Sequence, residues 1–236
     1  MRIRDLISRR TDLGTFLVHL TREGGAEAGR VRLERIIRTG RIEARSAYGQ
    51  ARGRVDGDAA GEASQRVACF TETPLEHVHF LTEEIDTRQV RFAPYGIALT
   101  KQIARARGLN PVWYVDITLG HNWLTNPLNA LIDQAIAAGN FASSNIAKIT
   151  PFIEQMGTQP GSYRKEFWWE REWRHSGDFA LPPKFIGICP TDEAAELISA
   201  VQQTGRQAVW IDATWGLEEI IGRLAGFAAE EVSVID

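Results

Sequence analysis

Lys165-Glu166-Phe167-Trp168-Trp169-Glu170-Arg171-Glu172-Trp173-Arg174-His175 is the stretch whose reading decides the fold. It holds three of the chain's seven tryptophans and neither Gly nor Pro. Aromatic content of that density favours a strand. Read with period two, Phe167, Trp169, Arg171, Trp173 and His175 line one face, and Glu166, Trp168, Glu170, Glu172 and Arg174 the other. The second face then sets Glu170 beside Glu172, with Arg174 next along. A helix would pair Glu170 with Arg174 at i,i+4 and scatter the aromatics round its cylinder, so the strand is preferred. Neighbouring carboxylates on one face repel and need compensation. One account is an edge strand with its charges in water and Arg174 neutralising Glu172. The other is a carboxylate at the floor of a cleft, sharpened by tryptophans on both faces, for which a solvated strand has little use.

The elements around this strand alternate in type. Thr15–Thr21 reads as a central strand carrying His19 and Thr21 two residues apart, expected to face a polar cleft. Val31, Leu33, Ile36 and Ile37 give helical periodicity up to Gly40, a C-cap. Residues 46–65 are rich in Gly, Ala, Arg and Asp and read as a mobile loop without a core. Val67–Glu72 is the next strand. Thr73 and Glu76 form a capping box for a helix that runs to about Glu84. Residues 92–100 form a strand containing Tyr95, residues 101–107 a basic helix, and residues 111–117 a buried strand. Helices follow over residues 123–138 and 149–156. Beyond the decisive stretch come a strand at 185–189, a helix at 191–203, a strand at 208–211 and a helix from Leu217 to Ala229. Ile3–Arg10 reads as a short amphipathic helix. The order implies one α+β domain spanning residues 1–236, with a mixed, largely antiparallel sheet flanked by helices.

The chain's 236 residues fit one large domain or two small ones. Its composition, 44% apolar and 24% charged, is ordinary for a globular protein. A net charge of −3 gives no electrostatic footprint for nucleic acid or membrane, although a local basic groove is compatible with it. Cys69 and Cys189 sit in apolar runs and read as reduced core thiols, which implies a cytoplasmic protein. No cysteine spacing suits a metal. No long apolar run follows the N-terminus, so neither a signal peptide nor a membrane anchor is expected. Phosphate-loop and nucleophile-elbow motifs are absent, and His77 and His79 would diverge on a helix.

Five quoted segments carry a resemblance: His19-Leu20-Thr21; the run from Val67 through Phe70-Thr71-Glu72-Thr73-Pro74-Leu75; Tyr95-Gly96-Ile97; Asn110-Pro111-Val112; and Phe167 to His175. Together they resemble the bacterial abortive-infection AbiGi-like family, labelled phage-resistance antitoxins, across roughly residues 5 to 190. That resemblance implies a role in phage defence and a cognate toxin or antitoxin protein as partner.

A more distant resemblance is to ADP-ribosyltransferases, in which an early-strand polar residue, a middle-strand Tyr and a late-strand Glu follow in order. His19, Tyr95 and Glu170-x-Glu172 match that order. The family's usual Ser-Thr-Ser signal is missing, and Thr71 is the nearest stand-in. The resemblance implies an ADP-ribosyltransferase-like fold and NAD as a substrate. Glu172 and Glu170 would be catalytic, and His19, Thr21, Thr71, Tyr95 and Arg174 would surround NAD, with no metal. Cleaving the nicotinamide glycosidic bond builds an oxocarbenium-like cation that a carboxylate stabilises. Two hypotheses follow. The first is an NAD-dependent transferase effector acting on a macromolecular acceptor. The second is a non-catalytic antitoxin that binds and neutralises a toxin, recognisable by an exposed apolar patch and by these residues being separate or locked in structural pairs.

Overall fold

The computed structural model describes residues 14–24, 27–84, 90–158, 164–165 and 168–226. The expected helix at Ile3–Arg10 and the side chains of Glu166 and Phe167 lie outside the described residues. The chain is mixed α+β. It divides into two compact units, one of Met1–Arg41, Glu72–Ala104 and Ala180–Asp236, the other of Ile42–Thr71 and Arg105–Phe179.

In the first unit the Phe16–Arg22 strand pairs antiparallel with Phe92–Thr100, Leu20 facing Gly96. That strand pairs antiparallel with Lys184–Ile188. Lys184–Ile188 in turn runs parallel to Gln207–Ile211. Parallel neighbours need a crossover, and the Ala194–Gln202 helix supplies it, burying Leu197, Ala200 and Val201 at helical spacing. Gly187 is required by close approach, since a Cβ there would meet the Trp210 ring at 2.4 Å. Val18, Leu20, Leu75, Val78, Ala98, Ile188, Ile211 and Ile220 form the core.

The Gly29–Thr39 helix ends at Gly40 in the left-handed conformation, φ 67°, as its sequence implies. The expected capping box of Thr73 and Glu76 does not form. Residues Leu75–His77 make a 3-10 turn whose cap position is Pro74, with no side chain to accept a bond. The α-helix proper is short, Val78–Thr82. The last helix stops at Ala225, because Gly226 turns left-handed, φ 86°; the expected continuation to Ala229 falls on residues that are not described.

In the second unit Arg66–Thr71 pairs antiparallel with Glu172–Ser176. On its other side Glu172–Ser176 meets Asn110–Pro111. It therefore has neighbours on both flanks and is not an edge. A second sheet sets Trp113–Asp116 parallel to Ile153–Thr158, with Arg164–Lys165 antiparallel beyond. The Thr125–Ala137 helix lies in the crossover between the parallel pair. The expected buried strand over 111–117 is interrupted at Val112, and Trp113 stands exposed.

Residues 46–65, expected to form a loop without a core, are built structure. Ala59–Ser64 is a helix whose first turn is capped by Asp58, accepting from the Ala60 amide. Ala51 and Val55 are buried with Ile132, Phe141 and Ala147. Gly49, φ 89°, lies so close to the Thr150 carbonyl that a Cβ would come to 2.0 Å. Gln65 is fully buried; its Nε2 donates to the Ala147 carbonyl at 3.0 Å and its Oε1 accepts from Thr150 Oγ1 at 2.8 Å. A composition poor in large apolar residues thus packs through small residues, one valine and a satisfied amide.

Candidate functional site

The decisive stretch is not one continuous strand. Trp168–Glu170 forms a 3-10 turn, and Arg171 follows in the left-handed region at φ 47°. It is the one non-glycine residue in that region among those described, a conformation that costs about 1 kcal/mol. The Arg171 amide donates back to the Trp168 carbonyl at 3.1 Å. The Glu172–Ser176 strand begins only after this kink. Glu170 and Glu172 therefore do not share a strand face, contrary to the alternation expected of one continuous strand.

Alternation within Glu172–Ser176 still places Glu172 and Arg174 on one side. Their register partners are Thr71 and Cys69. Arg174 is 2% exposed. Its Nη2 donates to Glu172 Oε2 at 2.7 Å and to Glu154 Oε2 at 2.9 Å, and Nη1 donates to the Pro151 carbonyl at 2.6 Å. The guanidinium carbon lies 5.0 Å from the centre of the Tyr48 ring. Its Nε alone has no partner. Burial by itself would lower the pKa of Arg174, but the charges of Glu172 and Glu154 outweigh it and hold the group firmly cationic. The Glu172 amide donates to the Tyr114 hydroxyl at 3.4 Å. The Tyr114 pKa is pushed up by burial first and then by the Glu172 carboxylate. Thr71 Oγ1 donates to the Glu170 carbonyl. This is a buried, hydrogen-bonded ion network, not a solvated edge.

The remaining predicted site residues sit in the first unit. His19 is half-buried opposite Ile97 on the Phe16–Arg22 strand. Thr21 is buried, and its hydroxyl donates to the Tyr95 carbonyl at 3.0 Å. The Tyr95 hydroxyl donates to Glu193 Oε1 at 2.7 Å, and burial together with that carboxylate pushes its pKa up to about 12. Arg30 bridges Glu193, at 3.1 Å, and Glu196. Thr21 and Tyr95 are thus brought together. Thr71, Glu170, Glu172 and Arg174 form the separate group of the second unit. Sequence reasoning missed Glu193 and Glu154. The first stands 98 positions from Tyr95, and the second alternates in a strand with nothing to mark it.

Next to the ion network the second unit exposes aromatic surface. Trp168 is 55% and Trp169 37% exposed in the turn before Arg171. Trp113 follows Val112, whose amide binds the Glu172 carbonyl at 2.8 Å, and it is 55% exposed. Among the described residues no group of three or more His, Cys, Asp and Glu could hold a metal ion, and no helix is long and apolar enough to cross a membrane.

The comparison with family models decides the family. The model described as "Putative abortive phage resistance protein AbiGi, antitoxin" matches residues 34–186, well over half of the chain, and the chain belongs to that family. Neither the curated proteins nor the solved structures contain a match.

Proposed function

We propose that this chain is a phage-defence antitoxin that acts by binding and neutralising a partner toxin protein, without chemistry of its own. One observation carries this reading. The carboxylate that a transferase would need free, Glu172, is committed to a buried guanidinium shared with Glu154, while Trp168 and Trp169, in the turn before it, face outward. A carboxylate held this way spends its charge on Arg174, not on a developing oxocarbenium ion. Exposed tryptophans are the residue type that most often dominates a protein interface. The family's description as an antitoxin supports the same conclusion.

The test is co-expression with the product of the neighbouring reading frame, scored by growth and by co-purification. Relief of growth arrest together with a stable complex supports the proposal. NAD consumption by the purified chain, abolished by Glu172→Gln in a folded variant, would replace it with the ADP-ribosyltransferase reading, in which NAD is the substrate.

A further inference from the structure

The strands of the first unit end on an open edge. Gln207–Ile211 pairs on one side only, residue for residue from Lys184–Gln207 to Ile188–Ile211, without a bulge. The Gln207 amide donates to the Pro183 carbonyl at 2.9 Å, and the Ile211 carbonyl accepts from the Cys189 amide at 3.1 Å. Both residues thus turn their backbone groups toward the neighbouring strand, and Val209 midway between them does the same. Ala208 and Trp210 turn theirs outward. The Trp210 carbonyl accepts from Arg223 Nε at 3.3 Å. The Ala208 amide, the Ala208 carbonyl and the Trp210 amide have no hydrogen-bond partner among the described residues.

Edge strands of monomeric proteins are ordinarily defended by a lysine, a proline or a bulge. Gln207-Ala208-Val209-Trp210-Ile211 has none of these, and Val209 is 40% exposed. An undefended row of outward amides and carbonyls is completed by one more strand. The flanking charges say which strand. Arg206 precedes the edge and Asp212 follows it, each three residues from Val209. Asp212 accepts from the amides and hydroxyls of Thr191 and Thr214, and neither it nor Arg206 has an ion-pair partner among the described residues. A strand that is cationic at its start, uncharged in its middle and anionic at its end is complementary to itself when run antiparallel. A two-fold axis at Val209 sets Ala208 opposite Trp210 of the second copy, and Trp210 opposite its Ala208, so every outward group is paired. The Trp210 carbonyl has a second lone pair for this bond. The same register sets Arg206 opposite Asp212 of the second copy, twice by symmetry, where opposite charges attract. A strand of another protein meets this pattern only by carrying the same order of signs; a second copy carries it by construction.

We infer that the chain dimerises by antiparallel pairing of Gln207–Ile211 with the same strand of a second copy, about a two-fold axis at Val209. Sedimentation equilibrium of the full chain reads the association. The wild type is a concentration-dependent dimer. Ala208→Pro removes an outward amide that has no partner within the chain, so the fold tolerates it and dimerisation weakens at least tenfold. Arg206→Glu turns both cross-strand attractions into repulsions and weakens the dimer about tenfold. Unchanged circular dichroism confirms that both variants fold. Cysteine probes read the register. Val209 faces its own copy in a non-hydrogen-bonded pair, with Cα atoms about 4.5 Å apart, within the reach of a disulfide. Val209→Cys therefore gives a reducible dimer with oxidised glutathione. Gln207→Cys, on the same face of the strand, gives none, because the two copies of residue 207 lie about 14 Å apart in this register. The wild type, carrying only Cys69 and Cys189, is the control.

A wild-type chain that stays monomeric at about 100 μM overturns the inference, and a complex of that monomer with another protein that Ala208→Pro abolishes gives the edge to a partner's strand instead. So does a dimer that Ala208→Pro and Arg206→Glu leave at full strength, because the copies then meet elsewhere. Cross-linking of Gln207→Cys as fast as Val209→Cys overturns the two-fold register.

Discussion

Replacing Arg174 with Met keeps most of its volume and removes its charge. Arg174 is 2% exposed, and the side chains of its partners Glu172 and Glu154 are 16% and 15% exposed. The variant loses the bonds to Glu172, Glu154 and the Pro151 carbonyl. It leaves two carboxylates facing each other with little water to solvate them. Breaking a buried ion group in this way costs about 3–5 kcal/mol. For a chain of this size that lowers the melting temperature by roughly 6–20 °C. Urea denaturation followed by tryptophan fluorescence measures the loss, with the slope m confirming that both proteins unfold to similar states. A triple variant, Arg174→Met with Glu172→Gln and Glu154→Gln, should recover at least half of the lost stability, because no uncompensated charge remains. A loss below about 1 kcal/mol for Arg174→Met would refute the reasoning, since it would place the guanidinium in exchange with solvent.

Other perturbations follow from single contacts. Gln65→Ala removes the amide's bonds to the Ala147 carbonyl and the Thr150 hydroxyl, leaving those two only their long mutual bond of 3.5 Å, and should cost about 1–2 kcal/mol by urea titration. Deleting residues 46–65 should prevent cooperative unfolding altogether, seen as loss of a sigmoidal melt, because Ala51 and Val55 leave the core with the segment. At the kink, Arg171→Val should be about 1–2 kcal/mol less stable than Arg171→Gly in the same assay, because both lose the arginine side chain but only the β-branched residue resists φ 47°. Burial alone would raise the Asp212 pKa, but hydrogen bonds from the amides and hydroxyls of Thr214 and Thr191 outweigh it and hold the carboxyl below its ordinary value. A depressed pKa gives stability that is present above the unfolded value, about 3.9, and lost as pH falls through the folded one. The stability gap between wild type and Asp212→Asn should therefore be constant above about pH 5 and shrink below about pH 4, as chemical denaturation across that range will show.

Periodicity exposed much of this fold in the sequence. The strand–helix–strand–helix ending, the helix closed by Gly40 and the strands around Leu20 and Ile97 all follow from apolar spacing and one punctuating glycine. The decisive stretch was half legible. Alternation correctly joined Glu172 to Arg174, because those residues lie within one strand. It failed at Glu170, because a left-handed arginine carries no local signal of the kind a glycine gives. Residues 46–65 misled for a different reason. Their packing rests on a buried amide, one valine and the close approach of small residues, and none of these registers as hydrophobicity. The candidate site was least legible where partners are remote. Nothing local marks Glu193 as the acceptor for Tyr95 or Glu154 as the second carboxylate on Arg174. Both pairings arise only when distant strands and helices come together.

The most direct test is growth of a culture in which this chain and the product of the neighbouring reading frame are induced separately and together. The account predicts that the neighbour alone arrests growth, that this chain alone does not, and that inducing both restores growth. Arrest by this chain alone, with cellular NAD depleted and both effects lost in Glu172→Gln, would contradict it.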